Sequence, residues 1–496
     1  MTAMSDRGGT RPIAPREAVL VAAILGLYVA FHAQFLVPSF GEADAARLAM
    51  DALGWHLGGT ISLAATDYRM RTSPLYIHAL KCMMGGGVPL RDLPRLMAWT
   101  SLLSSAAGLA AAYGLFRSLV GRTRSAIACG LLAATPAYWM GAHYGMAHVP
   151  ALALLLLALG AFSRALDGES APRGSLGWLG ASLGLFFVAL CLKADFVLTG
   201  LAFPGLAWVR RKRGLPFAAA GVAIVLIGLL GQFLYVKGVV TTPSDSHAVS
   251  TIRYAESWHS RFPFDRRALF AKWGGGSIPH ASGPLLFVVM LAALLANLVN
   301  PRRRRLALWA AAASLPVILF WGLIFANSAR HNLSALPPLA LLVGTLLVDI
   351  TRSRFKALAV ALAVAIGAAN YVSETRGDPA GNGGMLPRSN LVQLGLDQVK
   401  YSDGDWRWAR QIAGARATKK AVVGRYSRPY AAFELAAENQ GTSRLEYDGK
   451  ELLIVRDGRV AQRLLLADAT SLADARAVAA GLRAEGYAVW IRDFMR

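Results

Sequence analysis

Eleven largely apolar stretches recur along these 496 residues, with cores at 18–37, 96–116, 125–142, 149–163, 176–192, 196–209, 216–236, 281–299, 306–326, 332–349 and 357–371. A soluble fold has no way to bury so many runs of this kind, because its apolar usage is lower and its helices show one polar face. With 55% hydrophobic residues and a mean hydropathy of +0.42, the chain reads as a polytopic helical membrane protein. Several runs are shorter than the roughly 20 residues that a helix needs to cross hydrocarbon, so the count of eleven carries a margin of about two. The first run is long, with no small-residue cleavage site before Ser39–Asp44, and is expected to be an uncleaved anchor. Cys82, Cys129 and Cys191 lie in apolar surroundings and offer neither a disulfide framework nor metal-ligand spacing.

The formal charge of +23 raises nucleic acid as a partner, but its distribution argues otherwise. Residues 373–496 hold 19 Lys and Arg against 15 Asp and Glu, which leaves +19 on the apolar part. There the basic residues sit in short loops: Arg7, Arg11 and Arg16; Arg117, Arg122 and Arg124; Arg164 and Arg173; Arg210–Arg213; Arg302–Arg305; and Arg352, Arg354 and Lys356. These clusters fall at alternate ends of the runs, as the positive-inside rule requires of a protein with a cytoplasmic N-terminus. The charge is a topology signal, and no nucleic-acid role is expected.

That alternation puts 38–95, 143–148, 193–195, 237–280 and 327–331 outside, and an odd span count puts the tail outside with them. Within 38–95, a helical pattern from Asp44 to Leu57 and an apolar stretch from Pro74 to Met84 predict two helices along the membrane surface. The domain reading is a membrane unit over 1–372, a Gly/Asn/Pro-rich linker over 373–390 and a small α/β unit over 391–496. In the tail, strands are expected at Ala421–Val423, Glu451–Val455, Val460–Leu466 and Ala488–Ile491, the middle two joined by an Asp457-Gly458 hairpin turn. Helices are expected at Pro429–Ala437 and Leu472–Glu485. The tail has no phosphate-cradling Gly-rich loop, catalytic triad or metal cluster.

The residues with chemistry gather in the outer segments. Asp44, Arg47 and Asp51 fall on one helical face, with Ser39 and Glu42 at capping-box spacing before them. Such acids serve either to cap a helix and favour its positive end or to do chemistry. Tyr68, Arg69, Arg71 and Tyr76 surround the approach to the second surface helix, where they fit either a phosphate held by forked hydrogen bonds or an interfacial anchor. The loop 237–280 carries His247, Arg253, Tyr254, Trp258, His259, Arg261 and Trp273, with Gly274–Gly276 as a hinge, and suits either a lid or an interfacial helix.

An Asp-x-x-Arg just after the first span, here Asp44 to Arg47, followed by Arg71 and by Pro74-Leu75-Tyr76 before a surface helix, resembles the GT-C membrane glycosyltransferases. The branch it is most similar to includes the lipid A aminoarabinose transferases and the protein O-mannosyltransferases. Leu192-Lys193-Ala194-Asp195 resembles that branch's Lys-containing turn, with Ala194 where Gly is usual. Arg330-His331-Asn332-Leu333-Ser334-Ala335-Leu336-Pro337 resembles its Arg-Tyr-x-Leu-x-x-x-Pro, with His331 in place of Tyr. A second departure is His148, at the outer start of the fourth span, where many relatives carry an acid.

The resemblance implies transfer of a sugar from a polyprenyl-phosphate carrier, with inversion, on the outer face of a bacterial inner membrane. The leaving phosphate is already anionic and needs no acid, unlike the leaving group of a glycosidase, so one base is enough. Asp44 is the expected base. Arg71 and Arg330, with Lys193 and Arg47, are expected to hold the donor phosphate, and Tyr68, Tyr76, His148, Tyr254, His259 and His331 are candidate substrate contacts. Acceptors left open are lipid A, a polysaccharide and a protein hydroxyl. No dense carboxylate cluster points to a cation, so no metal ligand or other cofactor is assigned and a need for a divalent metal is left open. Two rivals remain: a transporter or lipid flippase would place charge near the bilayer midplane, and a non-catalytic assembly factor would depend on its tail rather than on the outer Asp and Arg residues.

Overall fold

The structure is a computed structural model that describes residues 14–36, 40, 43–58, 73–167, 172–210, 214–239, 281–324, 329–351, 356–372, 406–424, 428–448, 450–469 and 471–492. Ser39, Glu42, Tyr68, Arg69, Arg71 and the whole of 240–280, including Tyr254 and His259, lie outside the described residues. Helices run at α1 (Pro15–Ala33), α2 (Ala43–His56), α3 (Pro74–Gly85), α4 (Leu93–Val120), α5 (Arg122–Ala133), α6 (Pro136–Gly141), α7 (His148–Asp167), α8 (Pro172–Leu192), α9 (Ala202–Arg210), α10 (Gly214–Val239), α11 (Pro284–Val299), α12 (Arg304–Ile318), α13 (Leu336–Ile350) and α14 (Lys356–Val372).

All eleven apolar runs are helical, and among the described residues seven helices are long and apolar enough to cross a membrane: Pro15–Ala33, Leu90–Val120, His148–Asp167, Gly174–Leu192, Pro216–Val236, Arg304–Trp321 and Arg330–Ile350. The other four are shorter or interrupted. α11 and α14 are short apolar helices. The 125–142 run is broken before Pro136, whose ring cannot extend the preceding helix. The 196–209 run is a 3₁₀ turn, Ala194–Thr199, followed by the nine-residue α9, well under the length of hydrocarbon.

The two helices expected in 38–95 form where patterning places them, as α2 and α3, and pack on each other. Cys82, on α3, is exposed rather than packed inside, while Cys191 is buried. Helix crossings in the bundle rely on small residues: a Cβ on Gly344 of α13 would stand 2.5 Å from the Arg124 carbonyl oxygen and 3.0 Å from the Ala128 nitrogen of α5. In lipid, where apolar surface gives helices little reason to prefer each other over acyl chains, such close backbone approach supplies the packing attraction.

The end of the bundle remote from α2 is closed by paired charges. Glu17 binds Arg117 and Arg122, each at 2.7 Å, and accepts from the Tyr113 hydroxyl at 2.6 Å. Asp349 takes Arg124 and Arg303, each at 2.9 Å, and Asp167 takes Arg210 at 2.5 Å. Each carboxylate ties together helices that are distant in sequence.

The tail forms a five-stranded sheet, β1 (Lys419–Val423), β2 (Arg444–Tyr447), β3 (Glu451–Arg456), β4 (Arg459–Ala467) and β5 (Ala488–Ile491), in the order β2-β3-β4-β1-β5. β1 lies parallel between β4 and β5, and the β2–β3–β4 meander is antiparallel. Asp457 (φ 50°) and Gly458 (φ 72°) turn the β3–β4 hairpin with the left-handed pair that matches strand twist. A helix over 406–413 and α15 (Arg428–Asn439) cover one face of the sheet, and α16 (Leu472–Ala484) covers the other. β2 and the 406–413 helix were not expected from patterning. The amine of Lys420, buried in β1, donates to the Ala413 carbonyl oxygen at 2.6 Å and to Gln462 Oε1 at 3.2 Å, so it caps the end of that helix.

Replacing Gly344 with Ala is expected to cost about 1–3 kcal/mol, because the added methyl meets backbone rather than a side chain that can swing aside. Thermal unfolding in detergent would check this; an unchanged midpoint would mean that α5 and α13 are not held at this distance.

Candidate active site

Asp44 lies in the first turn of α2, where a carboxylate is favoured by the helix's positive end. One turn on, Arg47 reaches back to Asp44 Oδ1 at 3.3 Å. The other oxygen, Oδ2, receives Arg330 from the far part of the chain at 2.5 Å. The Arg330 side chain is 10% exposed and Asp44 28%, so the pair is largely shielded on one side and open on the other.

Arg330 belongs to a 3₁₀ segment, Ala329–Ala335, that leads into α13 with Pro337 in its first turn. This segment is pinned from behind: Ser314 of α12 donates to the Ala335 carbonyl oxygen at 2.9 Å, and the Thr199 and Ser334 hydroxyls meet at 3.1 Å. His331 stacks on Trp321 at 4.2 Å, its Nδ1 is 3.7 Å from Asp195 Oδ2, and its ring meets His148 edge-on at 5.2 Å.

Asp195 pairs with Lys193, both in the turn after α8, at 3.3 Å; their side chains are 11% and 6% exposed. Burial pushes the Asp195 carboxyl up, but the Lys193 charge and the contact with His331 outweigh it and hold the group below the ordinary carboxylate range. Both ring nitrogens of His148 and both polar atoms of the Asn332 amide are buried and find no hydrogen-bond partner among the described residues. Orphaned polar atoms are rare inside proteins and mark a place where a ligand or water is owed.

The structure brings together seven groups that the bundle would otherwise scatter: Asp44, Arg47 and Arg330, and next to them Lys193, Asp195, His148 and His331. Tyr76, expected as a substrate contact, is instead buried, and its hydroxyl donates to the Gly145 carbonyl oxygen at 2.7 Å, which gives it a packing role. Sequence reasoning assigned no role to Asp195, Asn332 or Trp321. An acid two residues after Lys193 was a signal for the first; nothing in the sequence marks Trp321 as the partner of His331. Among the described residues no three His, Cys, Asp or Glu side chains gather as a metal ion would need, and Asp44 Oδ1 and Oδ2 face Arg47 and Arg330.

The bundle, its two surface helices and the small α/β domain make up a GT-C fold. The similarity appears in structure and not in sequence, for no family model and no curated protein sequence matches the chain. It is similar to ArnT of Cupriavidus metallidurans bound to undecaprenyl phosphate, with a TM-score of 0.53 and 16% identity over 85% of each chain. It also aligns with the oligosaccharyltransferase AglB of Archaeoglobus fulgidus in complex with an inhibitory peptide and a dolichol-phosphate, with a TM-score of 0.49 and 12% identity over 86% of this chain and 64% of that one.

Asp195→Asn should leave the buried Lys193 ammonium without a countercharge and lower stability by roughly 3–5 kcal/mol. Melting of the purified protein would show it, and the double change Lys193→Met with Asp195→Leu should recover most of the loss.

Proposed function

We propose that the chain is an inverting glycosyltransferase of a bacterial inner membrane that takes a monosaccharide from a polyprenyl-phosphate carrier and gives it to an envelope hydroxyl, on lipid A, a polysaccharide or a protein. The observation that carries the reading is the contact between Asp44 and Arg330, which joins the expected base to an expected phosphate ligand across 286 residues of sequence. The fold supports it, since the structurally similar ArnT was solved with undecaprenyl phosphate.

In this reading 1–372 is the membrane unit, 373–390 a linker and 391–496 a periplasmic domain, with the N-terminus cytoplasmic and the Asp44 end facing outward. The basic clusters then face the cytoplasm, as positive-inside loops do.

The chemistry follows from who holds whom. In the ion pair, Arg330 occupies one oxygen of Asp44. The donor phosphodiester offers the same guanidinium two unesterified oxygens that share one negative charge, a forked partner whose arrival draws Arg330 away and frees a lone pair on Asp44. Arg47 remains on the other oxygen and keeps the carboxylate ionised and oriented. The acceptor hydroxyl attacks the anomeric carbon as its proton passes to Asp44, and the bond from that carbon to the phosphate oxygen breaks with its electron pair on the phosphate. Arg330 and Lys193 stabilise the charge that grows on the departing group, with Arg71 as a third cation. His148, whose nitrogens have no partner among the described residues, and His331 beside it offer hydrogen bonds to a hydroxyl-rich ligand.

Mass spectrometry of envelope glycolipids and glycans from a strain lacking the gene should reveal the loss of one sugar. Wild-type protein should restore it, whereas Asp44→Asn, present at the same membrane level, should reduce it by about 10²–10⁴-fold, the usual weight of a general base. An unchanged envelope in the deletion strain would remove the proposed activity, and full restoration by Asp44→Asn would remove Asp44 from the mechanism.

A further inference from the structure

Helix α2 is held from two sides. One side is the membrane unit, through α3 and α4; the other is the tail domain, whose helix α15 lies along α2. Ala45, Ala46, Ala49, Met50, Ala52 and Leu53 of α2 are buried in a core that also takes in Tyr430, Phe433 and Ala436 of α15. The contact extends to the entry to α2. Phe40 is 3% exposed; its ring meets Phe433 edge-on at 4.7 Å and Tyr430 at 6.1 Å, and its carbonyl oxygen accepts from the Tyr430 hydroxyl at 3.3 Å. A second tie lies beyond α3, where the Leu90 amide donates to Gln440 Oε1, just past the end of α15, at 2.7 Å.

Phe40 stands four residues before Asp44. The tie of Asp44 to Arg330 is one that the proposed reaction must release when phosphate arrives. When it is released, the packing of Phe40 and of the buried face of α2 against the tail domain still holds the helix that carries Asp44. We infer that the tail domain is a positioning element for the base: Phe433 and Tyr430 clamp Phe40 so that Asp44 stays on station while Arg330 turns to the donor. This rests on the glycosyltransferase reading and adds that the two units act as one catalytic body, with Phe433 and Tyr430 as positioning residues that touch no substrate.

A positioning role separates transfer from donor binding. In the deletion strain complemented at equal membrane level, Phe433→Ala should lower the amount of sugar-modified envelope product at least tenfold. The dissociation constant of the purified full-length variant for undecaprenyl phosphate should stay within twofold of wild type, and Phe433→Leu, which refills the space, should bring product back to within threefold. If Phe433→Ala does not accumulate in membranes, Tyr430→Phe decides: it keeps the ring, removes the bond to the Phe40 carbonyl, and should lower product about threefold with lipid affinity unchanged. Product at the wild-type level in the variant that accumulates, or a loss matched by equally weaker undecaprenyl phosphate binding, overturns the inference. Absence of product with the wild-type protein itself would instead count against the glycosyltransferase reading.

Discussion

The salt bridge from Arg330 to Asp44 is the constraint on which one end of this molecule turns. It joins helix α2, near the start of the chain, to a 3₁₀ segment near the end of the bundle. The support is visible: Ser314 and Thr199 fasten the segment through Ala335 and Ser334, while Trp321 fixes the ring of the next residue, His331. A long cationic side chain loses rotamer freedom when it is ordered. Here that loss is offset in advance by neighbours that have no other evident task, which is how preorganised electrostatics are built.

The two ends of the bundle use the same residue types to opposite effect. At the remote end the acids are shared: Glu17 by two arginines and a tyrosine, and Asp349 Oδ1 by Arg124 of α5 and Arg303 just before α12. Breaking any of these gains nothing for a ligand, and they serve as clasps. At the Asp44 end that residue is more than a quarter exposed, and beside it His148 and Asn332 leave buried polar atoms without a partner among the described residues. A protein designed for stability alone would have paired or removed these groups. Their survival in the interior argues that something else completes the set.

Much of the frame was legible because it follows from solvent. Apolar runs placed the helices of the bundle, and the Asp457-Gly458 turn between two strand-like runs placed the hairpin of the tail. The site was legible only in part. Asp44 and Arg330 stood out through the resemblance of Asp44 to Arg47 and of Arg330 to Pro337 to GT-C patterns, and their meeting required no more than a shared end of the bundle. What escaped were features set by packing across the chain. The 196–209 run has the composition of a span yet folds as a 3₁₀ turn and a short helix, since hydropathy counts residues and not hydrogen-bond partners. Tyr76 carries the residue type of a ligand contact, but burial turned its hydroxyl to a backbone carbonyl. The hold of α15 on α2 had no sequence signal, because an aromatic face on a helix of the tail does not say which surface it covers.

One feature of the backbone fixes the angular setting of the inner wall of the site. Pro316 sits inside α12, where it can offer no amide to the turn before it, and the chain then widens into a π-helical turn over Leu319–Ile324. A wider turn carries the chain through less than the roughly 100° per residue of an α-helix, so it sets the direction of each side chain within it. Trp321 lies in that turn, and its face meets the ring of His331. Wound as an ordinary α-helix, the same residues would point the indole in another direction. The phase of a single helical turn, more than any residue's identity, thus decides whether the imidazole beside Arg330 has an aromatic wall to rest on.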